Sequence, residues 1–162
     1  NTLYTGITFL DQEVCAYVLQ NYSSLKQGSW DQFFLDSWAM MEDFDNLVTN
    51  AIAAGSIYDL ILKAKIDGLS NMKIQELIKI ELDIERSPEY ISSLWCNKIP
   101  RMISEKAYEE FLEWYFTFKE KGVWKKCSRC GGIKLAHPHF FSKNSSSKDG
   151  LYSICKECRR KK

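Results

Sequence analysis

The stretch Lys125-Lys126-Cys127-Ser128-Arg129-Cys130-Gly131-Gly132, answered by Cys155-Lys156-Glu157-Cys158, decides the architecture of this 162-residue chain. A Cys-x2-Cys pair sets two thiolates on the same side of a tight turn. Two such pairs close a tetrahedron around a d10 cation that has no geometric preference of its own. Gly131 and Gly132 follow the first pair, where a positive φ lets the chain wrap back over the metal. The pattern predicts one structural Zn2+ held by Cys127, Cys130, Cys155 and Cys158. The competing reading is free structural cysteines or two disulfides. Disulfides belong to oxidising compartments, and the sequence shows neither a secretory leader nor a long apolar span, so a cytoplasmic location is expected.

Between the two pairs, Phe140 and Phe141 are the candidates for a small core, since a module of this size does not stand without its metal. Ser142 to Gly150 is polar and turn-rich, and Asp149-Gly150 reads as a hairpin corner. Tyr152 and Ile154 lead into the second pair, and Lys156 to Lys162 should begin a short basic helix. Charge is divided along the chain. Residues 1–118 carry 9 Lys+Arg against 18 Asp+Glu, a balance of −9, whereas residues 119–162 carry 13 against 3, a balance of +10. A basic end of this kind faces a polyanion or is simply a solvated tail, and a metal module directly beneath the charges favours nucleic acid. The candidate DNA contacts here are Lys125, Lys126, Arg129, Lys134, Lys143, Lys148, Lys156, Arg159, Arg160, Lys161 and Lys162.

Cys-x2-Cys-Gly-x-x-Lys, then Phe, Lys-Asp-Gly-Leu and Cys-Lys-x-Cys, resembles small zinc modules of phage and prophage proteins. It is similar to the zinc region of the endonuclease VII and HNH nucleases. That resemblance implies a zinc-ribbon or treble-clef-like module, DNA contact and a phage-related origin, with the bacterial host cytoplasm as the setting. It does not carry over the nuclease chemistry. Endonuclease VII-type sites place an Asp-His pair between the knuckles and an Asn after the last Cys, whereas here Ala136 precedes His137 and Arg159 follows Cys158. His137 and His139 are read as surface or capping residues, because four thiolates already fill the tetrahedron. Cys15 and Cys96 lack a neighbouring His, no Gly-rich phosphate loop occurs, and no enzyme is expected.

Upstream, Ser104 to Lys121 reads as one helix: Ser104 as cap, Glu105, Glu109 and Glu110 early, Lys119 and Lys121 late, Gly122 as terminator. Its Tyr108, Phe111, Leu112, Trp114, Tyr115, Phe116 and Phe118 point almost all round. Base stacking is one use for them, but burial against the N-terminal helices or a second subunit is preferred. Before it, Ser56 caps a helix with Ile57, Leu60, Ile61 and Ala64 inward, and Asp67-Gly68 stops it. Ser70 caps the next, over Met72 to Glu81, with Ile74, Leu77 and Ile78 inward. After a loop over Leu82 to Arg86, Ser87-Pro88-Glu89 starts a third helix that buries Ile91, Leu94 and Trp95 and ends or kinks at Pro100.

The segment Asp67-Gly-Leu-Ser-Asn-Met-Lys-Ile-Gln-Glu-Leu resembles the second-helix opening of sigma-factor region 4 and of LuxR-type regulators. This resemblance implies a helix-turn-helix in which Ser87 to Ile99 enters the major groove. Glu89, Ser92, Ser93, Cys96 and Asn97 then face outward, with Lys98 and Arg101 near phosphates. Asn97 is suited to bidentate contact with adenine, and Ser92 and Ser93 are less selective. The linker before the third helix is longer than usual, and its reading face is short of basic residues.

Residues 1–55 look helical and acidic. Phe9, Val14, Tyr17, Val18 and Tyr22 space like one buried stripe, and Phe33, Phe34, Trp38 and Met41 like another, separated at Gly28-Ser29 with Ser29 or Asp31 as cap. Asp36, Glu42, Asp43 and Asp45 read as a solvated face. The expected organisation is mainly α, with residues 1–55 an acidic helical region, 56–122 a helix-turn-helix-like unit with a long aromatic helix, and 123–162 the basic zinc module. The expected function is a sequence-specific double-stranded-DNA-binding protein, a phage or prophage transcription regulator. A small-terminase-like packaging subunit, which would assemble as a homo-oligomer, stays open beside it. So does a protein that binds and modulates a host protein through residues 1–55. No membrane role is expected.

Overall fold

The computed structural model describes residues 9–27 and 33–161, with the side chains of all of these except 33–37. The expected separator and caps at Gly28, Ser29 and Asp31, the side chains of Phe33, Phe34 and Asp36, and Lys162 lie outside the described residues. The protein is mainly helical. Helices α1 (Gln12–Gln20), α2 (Tyr22–Lys26), α3 (Phe33–Ala51), α4 (Ile57–Ile66), α5 (Asn71–Leu82) and α6 (Pro88–Ser93) are followed by a π-helical turn, Leu94–Lys98, and by α7 (Ile99–Phe118). Strands β1 (Trp124–Lys126), β2 (Ile133–Leu135), β3 (Phe141–Lys143) and β4 (Leu151–Cys155) then form two antiparallel hairpins, and α8 (Lys156–Arg160) closes the described chain. None of the described helices is long and apolar enough to cross a membrane.

The chain divides into two compact units, residues 1–108 and 109–162, with the boundary inside α7. The first unit has one core, in which Phe9, Val18, Met41, Phe44 and Leu47 meet Ile61, Ile74, Ile78, Ile91, Ile99 and Ile103. The caps fall where hydroxyl chemistry places them. Ser56, Ser70 and Ser87 accept backbone N–H groups from Asp59, Lys73 and Tyr90, each satisfying a donor that the first helical turn leaves unpaired. Pro88 sits at the first helical position of α6, where its missing N–H costs nothing. Gly68 adopts φ +80° directly after α4. Helix α4 buries Ile61, Leu62 and Ala64, while Leu60 is only half-buried.

Several expectations fail in detail, each for a local reason. Tyr17 and Trp38, assigned to buried stripes, are 62% and 55% exposed, because Val18 and Met41 fill the core positions beside them. Asp45, expected on a solvated face, is half-buried, with 36% of its side chain exposed. Its carboxylate accepts the Tyr22 hydroxyl at 2.7 Å and pairs with Lys26, tying α2 to α3. Burial and then this carboxylate raise the Tyr22 hydroxyl above its ordinary pKa.

Of the expected end or kink at Pro100, the chain shows no end but a π-helical irregularity just before it, and α7 begins at Ile99 rather than Ser104. The π-turn absorbs the proline: the Ile99 N–H reaches back to the Leu94 carbonyl, five residues away. Pro100 itself is fully buried. Ser104 is therefore an interior residue, and its hydroxyl donates to the Arg101 carbonyl at 3.1 Å instead of capping. At the other end α7 stops at Phe118, earlier than Lys121. The N–H groups of Lys119 and Glu120 both turn back to the Tyr115 carbonyl, and that of Gly122 to Phe116.

Candidate metal centre and cationic surface

The second unit is built around four sulfurs. Cys127 directly follows β1, and the Gly131 N–H donates to the Cys127 carbonyl at 2.9 Å, which curls residues 127–131 into a turn. Gly131 takes φ +72° at its close, a conformation that a side chain would strain. Cys155 ends β4 and Cys158 lies on the first turn of α8, so the second pair spans a strand-to-helix junction. The four Sγ atoms lie within 4.8 Å of one another, and Cys130 and Cys155 are 4.0 Å apart. A tetrahedral site with metal–sulfur bonds of about 2.3 Å has sulfur–sulfur edges of about 3.8 Å. The donor set therefore fits a metal ion with little adjustment.

The thiols of the cluster shift in opposite directions. Backbone N–H groups of Cys130, Cys155 and Arg129 converge on the Cys127 sulfur and lower its pKa to about 6. Burial and then the neighbouring thiols push Cys158 up to about 12. Four thiolates this close repel one another, and a bound divalent cation is the charge that lets all four ionise together. Beneath them Phe141 is fully buried and Phe140, Leu135, Leu151 and Leu112 nearly so, with Phe116 packed against them. The aromatic helix α7 thus supplies part of the floor of the metal unit through Leu112 and Phe116. The expected hairpin corner is present, with Gly150 at φ +70° between β3 and β4.

The basic residues separate into two groups. Lys125 points inward: its Nζ pairs with Asp149, donates to the Leu151 carbonyl at 3.1 Å and lies 5.5 Å from the centre of the Phe141 ring. Lys134 pairs with Glu157 at 3.1 Å, Arg129 donates to the Cys158 carbonyl at 2.6 Å, and Arg159 stacks 4.2 Å from the Tyr152 ring. These four brace the module. Lys126, Lys143, Lys148, Arg160 and Lys161 are exposed, Lys156 is half-buried, and none of the six is in an ion pair among the described residues. In the first unit Ser93, Asn97 and Arg101 are exposed and Ser92 and Lys98 half-buried. The Asn97 carbonyl accepts the Gln12 amide at 3.3 Å, leaving its side chain outward.

His137 and His139 stand apart from the sulfurs. The His137 Nδ1 accepts the His139 backbone N–H at 3.1 Å, and the His137 carbonyl accepts the N–H groups of Phe140 and Phe141. It is a turn-forming residue, and burial lowers its pKa. His139 Nε2 meets Glu109 Oε1 at 3.1 Å. That contact, the Lys125–Asp149 brace and the Tyr152–Arg159 stack were invisible to sequence reasoning, since each joins residues with no shared motif. No protein-family model, curated protein or solved structure matches the chain.

Proposed function

We propose that the chain is a non-enzymatic DNA-binding protein whose zinc-held C-terminal unit grips the phosphate backbone of a duplex. One observation carries the reading: the imbalance of uncommitted charge on the second unit. Residues 109–161 hold 12 Lys+Arg and 6 Asp+Glu. Asp149 and Glu157 are paired with Lys125 and Lys134, while Glu109 and Glu120 form hydrogen bonds with His139 and the Tyr115 hydroxyl. Lys126, Lys143, Lys148, Arg160 and Lys161 remain to neutralise phosphates, a contribution that dominates non-specific affinity. Zinc suits four thiolates in a tetrahedron better than the harder divalent cations, and here its role is to hold the fold, with no open position for substrate.

Sequence selectivity belongs to the first unit in this reading. Helices α4, α5 and α6 supply a helix-turn-helix, and Ser92, Ser93 and Asn97 contact base edges with Lys98 and Arg101 at phosphates. A regulator of transcription in a phage or prophage setting uses such a pairing of a base-reading unit with a phosphate clamp. The test is fluorescence-anisotropy titration of labelled duplex DNA at several salt concentrations, with the full chain and with Lys126→Gln/Lys143→Gln. The intact protein binds with a steep negative salt dependence, and the double variant binds more weakly with a shallower slope. Salt-independent affinity, or none at low salt, refutes the reading.

A further inference from the structure

Just beyond the end of α7 the second unit opens a cleft of about 570 Å³, lined by Phe116 to Gly122 and by Trp124. Two of its aromatic rings are not spent on the core: Phe118 is 64% exposed and Trp124 42% exposed. Both flank the cleft, one from the last turn of the helix and the other from the start of β1. Lys119 and Lys121 lie on the same rim. The acid between them, Glu120, accepts the Tyr115 hydroxyl at 2.8 Å and keeps its charge, so the rim carries two lysines against one carboxylate.

Large aromatic rings left in water lose the free energy that burial would give them, so an exposed pair beside one cleft calls for an occupant. Lysines on the rim argue that this occupant is anionic, and ring faces argue that it has flat aromatic parts of its own. Both properties meet in a nucleic-acid strand with unpaired bases, which couples stacking surfaces to phosphates at short intervals. A paired duplex presents its bases only edge-on and offers no face to the cleft.

We infer that this cleft takes a base of single-stranded nucleic acid against the rings of Phe118 and Trp124, with Lys119 and Lys121 on the adjoining phosphates. The inference rests on the DNA-binding reading and adds a second mode to it. The duplex is gripped by Lys126, Lys143, Lys148 and the basic C-terminal helix, and an unpaired stretch is held at the end of α7. A protein with both modes favours junctions between paired and unpaired DNA.

The test uses the full-length, metal-loaded chain and two labelled probes, an oligo(dT) strand and a mixed-sequence duplex, read by anisotropy. Phe118→Ala should weaken oligo(dT) binding roughly 5- to 150-fold, the range for removal of one stacking partner. Duplex affinity should stay within about twofold, and Phe118→Tyr should keep oligo(dT) binding. Lys119→Gln/Lys121→Gln should weaken oligo(dT) binding and flatten its salt dependence. Unchanged oligo(dT) affinity in Phe118→Ala overturns the inference, as does an equal loss on both probes. Duplex binding by a wild-type protein that ignores oligo(dT) also overturns it, while leaving the proposed function standing. Failure of both probes removes both.

Discussion

The Nζ of Lys125 lies between the Asp149 carboxylate and the Leu151 carbonyl, above the face of the Phe141 ring. It joins the start of the first hairpin to the loop and strand of the second across 24 residues of sequence. A lysine that sequence reasoning assigned to DNA is thus a cross-brace of the metal unit. Lys125→Gln is expected to lower the melting temperature of the protein with little change in the salt slope of duplex binding. Lys126→Gln is expected to do the opposite, reducing the slope by about 1 while leaving the melting temperature alone. Thermal melts and salt titrations of the two variants separate the roles.

The same carboxylate gives a pH prediction. The Lys125 amine, then the Ser147 hydroxyl and the Leu151 N–H, hold the Asp149 carboxyl well below its ordinary value of 3.8. A lowered folded-state pKa contributes stability that is fully present above the unfolded value and is lost as pH falls through the folded one. The destabilisation caused by Asp149→Asn should therefore be equal at about pH 8 and about pH 5. A gap that stays constant as pH falls below about 4 would show that folding leaves the carboxyl's pKa unshifted.

Thiol reactivity should report the metal. The buried Cys15 donates to the Phe9 carbonyl, and burial, reinforced by Asp11, pushes its thiol up to about 12. It should resist an aromatic disulfide reagent until the first unit unfolds. Cys96 is exposed and should react at once. Cys127, Cys130, Cys155 and Cys158 should become reactive only after a strong chelator removes the ion, together with loss of the near-ultraviolet signal of the surrounding aromatics. Immediate reaction of all four in the metal-loaded protein would count against a closed thiolate site.

Gly122 is a steric position. A Cβ there would lie 2.8 Å from the Phe116 Cβ and 2.9 Å from the Leu135 Cδ1. Gly122→Ala should destabilise the second unit by about 1–3 kcal/mol, the usual cost of overpacking. Combining it with Leu135→Ala, which opens space at the contact, should make the two losses less than additive. Strict additivity in melting experiments would mean that the clash relaxes elsewhere.

Much of this was legible because it is local. Serine caps at Ser56, Ser70 and Ser87, the proline at position 88 and the glycines at 68, 131 and 150 act within a few residues, and all fall as read. The two Cys-x2-Cys pairs are likewise local, and only their convergence required the fold. What escaped was set at a distance. Whether Lys125 faces solvent or Asp149 depends on how the two hairpins pack. Tyr17 and Trp38 belong to stripes whose other members Phe9, Val18 and Met41 are buried, and tertiary packing narrowed each stripe to leave these two rings outside. At Pro100 the helix runs on rather than ending, because the π turn before it interrupts the regular α ladder with which a proline would clash.

The π-helical turn also fixes rotational phase. Core residues succeed one another at Ile91 and Leu94, then after a five-residue step at Ile99, and then at fours through Ile103 and Ala107. An unbroken α-helix turns about 100° per residue, so a five-step after Leu94 would overshoot the inward face. The wider turn cancels that overshoot. Lengthening Leu94–Lys98 by one residue would leave a good helix yet swing Ile99, Ile103 and Ala107 out of alignment together, whereas removing one residue would restore an α-helical four-step that keeps them in phase with Leu94. The segment is thus tolerant of exposed substitutions at Cys96 or Asn97 and of losing one residue but not of gaining one, and it acts as a vernier between two helices.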